Sequence, residues 1–273
     1  HHFFSHPQTL FRLLQVQGIV QGVGFRPYVH ALARSRMLVG HVANTASGVS
    51  IHVEGRPEDL AAFENDLPRH APPLALITSV ESRPVATGHY RDFSIRSSQD
   101  AARKTALISP DVAVCDDCLN ELFDPGDRRF GYPFINCTNC GPRYTIIAQV
   151  PYDRPHTSMG AFRMCPRCQA EYDDPGNRRF HAQPNACWEC GPKVALWDAH
   201  GQAVAAGDPI QEAARWLAAG RIVAVKGLGG FHLAVDAASE EAVRRRRERK
   251  RREEKPLAVM AAGPEAIRSF AAL

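Results

Sequence analysis

Eight cysteines constrain this chain more than any other feature, because every one of them stands in a Cys-x-x-Cys pair. Two pairs separated by 18 residues form a unit, and the unit occurs twice, so that Cys115 returns as Cys165. The text between the cysteines repeats as well, since residues 124–130 return almost unchanged as 174–180. A duplicated spacing of this kind predicts two zinc sites. The eight expected ligands are Cys115, Cys118, Cys137, Cys140, Cys165, Cys168, Cys187 and Cys190.

We name residues 108–193 the cysteine module. Four thiolates complete a tetrahedral zinc site and leave no position for water, so both Zn²⁺ ions are expected to be structural. Each unit could bind its own ion, or the outer and the inner pairs could bind one ion each in a nested arrangement. We favour the sequential arrangement because a duplicated unit should be able to close on itself. His156 and His181 are interpreted as ordinary polar residues, since the cysteine sets are complete without them.

Zinc is favoured over disulfides because the first 14 residues lack the long apolar core of a signal peptide. Thiols stay available to a metal in the reducing cytoplasm, and we expect the protein there. No apolar run approaches the roughly 20 residues of a membrane helix, so no membrane partner is expected.

The formal net charge of +4 comes from one local run, because residues 244–252 contain eight basic residues and one acidic residue. Because the excess positive charge is confined to this run, we do not expect nucleic acid as a partner. Aromatic and basic side chains between the cysteines could bind nucleic acid, but we favour packing around the metals. They are Arg128, Arg129, Phe130, Tyr132, Arg143 and Tyr144.

Residues 10–97 show the periodicity of a small α+β domain in the order βαββαβ. The pattern predicts strands over 11–20, 40–45, 49–54, 78–84 and 92–96, and helices over 27–37 and 57–69. Two helices should cover one face of an antiparallel, ferredoxin-like sheet.

Residues 20–26, which we name the glycine loop, join the first strand to the first helix. Two glycines let consecutive backbone N–H groups point inward, and the helix N-terminus adds a partial positive charge. Arg26 at the end of the loop can clamp two phosphate oxygens with its planar guanidinium. The loop is therefore a candidate anion cradle, formed by Val20, Gln21, Gly22, Val23, Gly24, Phe25 and Arg26.

The string from Gln21 to Arg26 resembles the signature of the acylphosphatase family, and residues 40–49 are similar to its second motif. The resemblance implies that the loop amides and Arg26 bind a phosphoryl group and that Asn44 orients the attacking water. It implies neither a catalytic metal nor a covalent intermediate. Catalysis would come from positioning and charge stabilisation.

Residues 205–273 read as the start of an α/β domain, with helices over 209–219 and 240–252 and strands over 221–227 and 255–260. Residues 225–233 and 249–257 resemble the beginning of the YrdC/Sua5-like nucleotide-binding domain. That resemblance assigns phosphate contacts to Arg249, Lys250, Arg252 and Lys255. We expect the domain to be incomplete here.

The order of the three parts, 10–97, 108–193 and 205–273, resembles the HypF family of hydrogenase-maturation carbamoyltransferases, and so do residues 132–137, 140–144 and 179–184. The family implies hydrolysis of carbamoyl phosphate, adenylation of the carbamate with ATP and Mg²⁺, and transfer to a cysteine of a HypE-type partner in the full-length protein. Alternatives are a stand-alone acylphosphatase with a zinc scaffold and a zinc-ribbon module that binds nucleic acid or protein.

Overall fold

The computed structural model of the chain describes residues 10–86, 88–98, 105–251 and 254–272. The chain divides into two compact units, of which the first ends at Pro192 and the second begins at Lys193. None of the helices in these ranges combines the length and the apolar character needed to cross a membrane.

The first unit begins with the predicted βαββαβ order, and the strand predicted over 92–96 follows it as a short fifth strand. Its strands pair in the order β4-β1-β3-β2-β5, antiparallel except for the parallel pair of β2 and β5. The elements are β1 (Leu10–Ile19), α1 (Phe25–Ser35), β2 (Val39–Thr45), β3 (Gly48–Gly55), α2 (Pro57–Arg69), β4 (Leu76–Pro84) and β5 (Phe93–Ile95). Helix α1 begins and ends two residues earlier than predicted, and it ends before Met37, which adopts a left-handed conformation with φ 55°.

The core of this sheet follows from the two periodicities of the sequence. Alternate residues of the strands belong to one buried hydrophobic cluster, such as Leu14 and Val16 in β1 and Ile51 in β3. Helix α2 buries residues three and four apart, Leu60, Phe63 and Leu67, against them. Each fully buried side chain of this size stabilises the fold by about 1.5–3 kcal/mol.

The cysteine module repeats one local structure. Helix α3 (Asp116–Phe123) and helix α4 (Pro166–Asp173) each begin directly after the first cysteine of a unit and bury the second. Two short 3-10 helices, Arg154–His156 and Ser158–Ala161, lie between the units. The module belongs to the same compact unit as the five-stranded sheet.

The second unit contains α5 (Pro209–Ala218), β6 (Val223–Lys226), β7 (Phe231–Ala234), α6 (Glu240–Lys250) and α7 (Pro264–Arg268). The predicted strand over 255–260 is wrong: the described residues of that stretch form no regular element. In the described part of the chain β6 pairs with β7 alone, so residues 255–260 have no neighbouring strand with which to form hydrogen bonds.

Candidate functional site

The glycine loop has the backbone geometry of an anion cradle. Gly22 and Gly24 adopt left-handed conformations, with φ 72° and 77°, and Gly24 precedes the first turn of α1. Within the described residues, the amides of Val23, Gly24, Phe25 and Arg26 donate to no protein acceptor. Unpaired N–H groups at a helix N-terminus favour a bound anion.

Arg26 lies buried beside this cradle, with only 7% of its surface exposed. Its Nη2 forms an ion pair with Oδ1 of Asp153 at 2.8 Å. Asp153 belongs to the cysteine module and also accepts a hydrogen bond from Ser98. The predicted phosphate clamp therefore has a carboxylate partner from a segment more than a hundred residues away in the sequence.

Gln21 fixes the start of the loop through its side chain. Its Nε2 donates to the carbonyl oxygens of Thr45 and Gly48, both at 2.7 Å. Its Oε1 accepts from the backbone N–H of Tyr152 at 2.8 Å. Because both the nitrogen and the oxygen of the amide are bonded, the side chain ties the glycine loop to the β2–β3 turn and to the cysteine module.

Asn44 is completely buried at the end of β2. Its Nδ2 donates to the carbonyl oxygen of Tyr152 at 3.1 Å. Its Oδ1 has no hydrogen-bond partner among the described residues. A buried acceptor without a partner is costly, and a water molecule or a substrate group would satisfy it.

A small pocket of about 20 Å³ opens beside the glycine loop. That volume holds about one ordered water. The loop contributes Val20, Gly22, Gly24, Phe25 and Arg26, while Gln21, Val23 and Asn44 are not among the described residues that line it. The remaining lining residues are Pro27, Thr138, Arg143, Tyr152, His181, Ala182, Gln183 and Pro184.

Most of these remaining lining residues come from the cysteine module. The sequence did not predict that the module contributes to the pocket. His181 was interpreted as an ordinary polar residue, whereas it lines the pocket with a left-handed φ of 53°. Burial, with the positive charge of Arg26, lowers the pKa of His181 to about 4, so the imidazole is neutral at physiological pH. His156 is not among the residues that line the pocket. Its Nδ1 is hydrogen-bonded to the carbonyl oxygen of Pro151 at 2.9 Å.

The cysteines gather into two groups of four in the sequential arrangement, one for each unit. The sulfurs of Cys115 and Cys137 are 3.7 Å apart, and those of Cys118 and Cys140 are 3.5 Å apart. In the second group the sulfurs of Cys165 and Cys187 are 3.8 Å apart. A tetrahedral zinc ion with Zn–S bonds of about 2.3 Å places its sulfurs about 3.8 Å apart, so both groups fit the metal.

Each unit supplies the arginines that surround the sulfurs of the other unit. Nη2 of Arg128 lies 3.2 Å from the sulfur of Cys168, and Nη1 of Arg178 lies 3.1 Å from the sulfur of Cys118. Both contacts join residues of opposite units, at positions that correspond in the sequence repeat. The thiolates of one site are thus stabilised by charges that come from the other.

The carboxylates in this arrangement cross between the units in the same way. Glu171 pairs with Arg128 and Arg129, and Glu121 pairs with Arg178 and Arg179. Burial alone would raise the pKa of Glu171, but the two guanidinium groups outweigh it and lower the pKa to about 2.

Packing around the metals, predicted for six residues, holds for four of them. Arg128 and Arg129 contact a sulfur, while Arg143 and Tyr132 are buried. Phe130 and Tyr144 lie exposed at the surface instead.

Two of the basic residues expected to contact nucleotide lie at the end of α6. Arg249 and Lys250 occupy its last turn, and both are exposed, as is Lys255. Arg252 lies outside the described residues.

Three families match consecutive parts of the chain. The acylphosphatase family matches residues 13–95, the HypF finger matches residues 114–147 and 164–197, and the Sua5/YciO/YrdC family, described as telomere recombination, matches residues 215–273.

Individual relatives match in the same way. The carbamoyltransferase HypF of Synechocystis sp. is 52% identical over 248 residues, which are 90% of this chain and 32% of that protein. The acylphosphatase of Thermotoga maritima is 39% identical over 84 residues, which are 30% of this chain and 92% of that protein.

A crystal structure of full-length HypF in the phosphate- and nucleotide-bound form superimposes with a TM-score of 0.91 and 46% identity. The match covers 99% of this chain and 35% of that one. The chain thus spans about a third of the length of the HypF relatives it matches.

Proposed function

The chain belongs to the HypF family, and from that premise we propose that its residues 10–97 hydrolyse carbamoyl phosphate to phosphate and carbamate. The observation that carries the proposal is the row of unpaired amides from Val23 to Arg26, next to a buried guanidinium. Such an arrangement stabilises the negative charge that a phosphoryl group carries throughout its transfer.

In the proposed reaction, the loop amides and Arg26 hold the three non-bridging oxygens of the phosphoryl group. Asn44 orients a water molecule through its unpartnered Oδ1. The water oxygen forms a bond to phosphorus while the bond from phosphorus to the bridging oxygen breaks. Carbamate leaves with the electron pair, and the water releases its proton to the products.

The cysteine module would act as a structural element that closes one side of this site. Its two groups of four cysteines fit zinc, which would hold each unit in its folded form. The contacts of Tyr152 with Asn44 and with Gln21 would then hold the end of β2 in register with the glycine loop. We place the protein in the reducing cytoplasm, where the thiolates stay available to the metal.

For a protein that contains the rest of the HypF length, we propose that the carbamate is adenylated with ATP and Mg²⁺ and transferred to a HypE-type partner. The match of residues 215–273 to the Sua5/YciO/YrdC family supports this part of the proposal, as does the nucleotide-bound relative. Arg249, Lys250, Arg252 and Lys255 would contact the nucleotide phosphates. We propose the boundaries 10–97, 108–193 and 205–273 for the three parts.

Phosphate release from carbamoyl phosphate tests the proposed hydrolysis. We expect Arg26→Ala and Asn44→Ala to lower turnover at least about a hundredfold, since each removes a group that acts on the transition state. Arg34→Ala changes an exposed arginine of α1 and is the matched control. Wild-type turnover in a folded Arg26 or Asn44 variant would overturn the assignment.

A further inference from the structure

Arg143 has five side-chain N–H donors, and all five are used by backbone carbonyl groups. Only 2% of the residue is exposed. Its Nη1 donates to the carbonyls of Cys140 and Pro142, at 3.0 and 2.9 Å, and its Nη2 to those of Cys137 and Thr138, at 3.3 and 2.8 Å. Its Nε donates to the carbonyl of Gly22. An arginine has five such donors, so none remains to bind a phosphate directly.

Four of the five acceptors belong to the first cysteine unit, and the fifth belongs to the glycine loop. The four carbonyls flank the metal ligands Cys137 and Cys140, so they are fixed when that site is formed. The backbone N–H groups of Arg143 and Thr145 donate to Oδ1 of Asp111, at 2.8 and 3.1 Å, which also fixes the main chain. Arg143 therefore connects a metal-anchored turn to the loop that holds the candidate anion.

The bond to Gly22 sets the orientation of the following peptide group. In a trans peptide the carbonyl and the next N–H point in opposite directions. Because Arg143 holds the Gly22 carbonyl toward the cysteine module, the N–H of Val23 is directed away from that bond. That amide is one of those without a protein acceptor in the described part of the chain.

The approach of Arg143 also requires glycine at position 22. A Cβ atom there would lie 3.1 Å from Cδ of Arg143 and 3.1 Å from Cε1 of Tyr152, and the φ of 72° disfavours other residues. The loop and the cysteine module are thus fitted to each other at this point.

The second cysteine unit offers an internal comparison. The position of Arg143, three residues after Cys140, corresponds to Lys193, three residues after Cys190. Lys193 is exposed, whereas Arg143 is buried against the loop. The two copies of this turn therefore differ at this position, and in the first copy the residue there contacts the glycine loop.

We propose that Arg143 is a positioning residue for the phosphoryl site, through which the first cysteine unit holds the glycine loop in its anion-binding conformation. The proposal rests on the assignment of the loop to phosphoryl binding. The residue acts on the peptide group between Gly22 and Val23 and does not contact the substrate. A lysine should not replace it, because three donors on a single nitrogen cannot bond to all five carbonyls of the turn and the loop.

Titration with inorganic phosphate separates this role from folding. The wild-type chain, Arg143→Lys, Arg143→Ala and the control Lys193→Ala would be compared by calorimetry and by the shift of the Val23 amide resonance. Bound zinc and melting temperature would be measured for each. We expect Arg143→Lys to keep two zinc ions and bind phosphate at least about tenfold more weakly, with a smaller Val23 shift. Lys193→Ala should match the wild type.

Each other outcome decides between the two proposals. If the wild-type chain binds no phosphate, the proposed function fails. If the wild type binds phosphate and Arg143→Lys binds it equally well, the positioning role is wrong. If Arg143→Ala and Arg143→Lys both lose zinc and unfold, Arg143 serves folding alone and the positioning role is again overturned.

Discussion

Arg26 and Asp153 form an ion pair, with 2.8 Å between Nη2 and Oδ1, that joins the glycine loop to the cysteine module. The carboxylate occupies one arm of the guanidinium that the proposed reaction uses to hold a phosphoryl oxygen. A phosphoryl group bound by the same guanidinium would compete with Asp153 for its positive charge.

Neutralising Asp153 should strengthen the binding of phosphate. The variant Asp153→Asn removes the competing charge, and we expect inorganic phosphate to bind about fivefold more tightly, a change of about 1 kcal/mol. Calorimetric titration measures it. The control Asp173→Asn neutralises an exposed carboxylate of the same module. Weaker binding by Asp153→Asn would contradict competition and show that the carboxylate orients Arg26 instead.

The crossed contacts of the cysteine module should appear in the metal affinities. Arg178→Ala removes a donor to the sulfur of Cys118, and Arg128→Ala removes one to the sulfur of Cys168. Outer-shell changes of this kind lower metal affinity about 10–100-fold. We therefore expect Arg178→Ala to weaken the first site and Arg128→Ala the second.

Cadmium NMR of the substituted protein, combined with alkylation of the released cysteines, assigns each loss to a site. The two variants act as controls for each other, since they occupy the same position in the two units. Loss of metal from the unit that carries the substitution would show that the contacts do not act across the repeat.

Stability should fall as the pH decreases from about 6.5 toward 4. Burial, followed by the charges of His52 and Arg96, lowers the pKa of His41 to about 4. His41 stacks on His52 with 4.5 Å between ring centroids, and Tyr90 lies edge-on at 5.3 Å. Between pH 4 and 6.5 the unfolded chain binds more protons at this histidine than the folded chain does, so stability rises with pH there.

We expect His41 to account for a loss of the order of 2 kcal/mol across this range, at about 1.4 kcal/mol for each pKa unit. Urea unfolding at several pH values measures it, and His41→Gln should flatten the dependence. Glu54 faces the same pair and favours the charged form of His52, which limits the effect. His70→Gln, at an exposed site, is the control. Equal acid sensitivity in His41→Gln and wild type would contradict the expectation.

The sequence was sufficient to predict the elements whose signals are local. The alternation of apolar residues in β1 and β3 predicted the sheet, and the two glycines before Arg26 predicted the anion cradle. The spacing of the cysteines gave the two groups of four, although it could not exclude nested pairing. Each of these inferences depends on residues that are close in the chain or regularly spaced.

The contacts that complete the site were not predictable in the same way. Arg143, Asp153 and His181 reach the glycine loop from more than a hundred residues away, and none of them belongs to a periodic pattern. The crossed arginines were missed because a repeat suggests that each unit closes on itself. One usable signal was present, since Arg143 differs from its counterpart Lys193 at an otherwise repeated position.

The central claim is that water attacks phosphorus in a site formed by Arg26, Asn44 and the loop amides. Hydrolysis of carbamoyl phosphate in ¹⁸O-labelled water, followed by mass spectrometry of the released phosphate, tests it most directly. We expect each phosphate to carry one ¹⁸O atom, and the labelled product to disappear in Arg26→Ala. Enzymatically released phosphate without ¹⁸O would show that the carbon–oxygen bond breaks instead, and would contradict the claim.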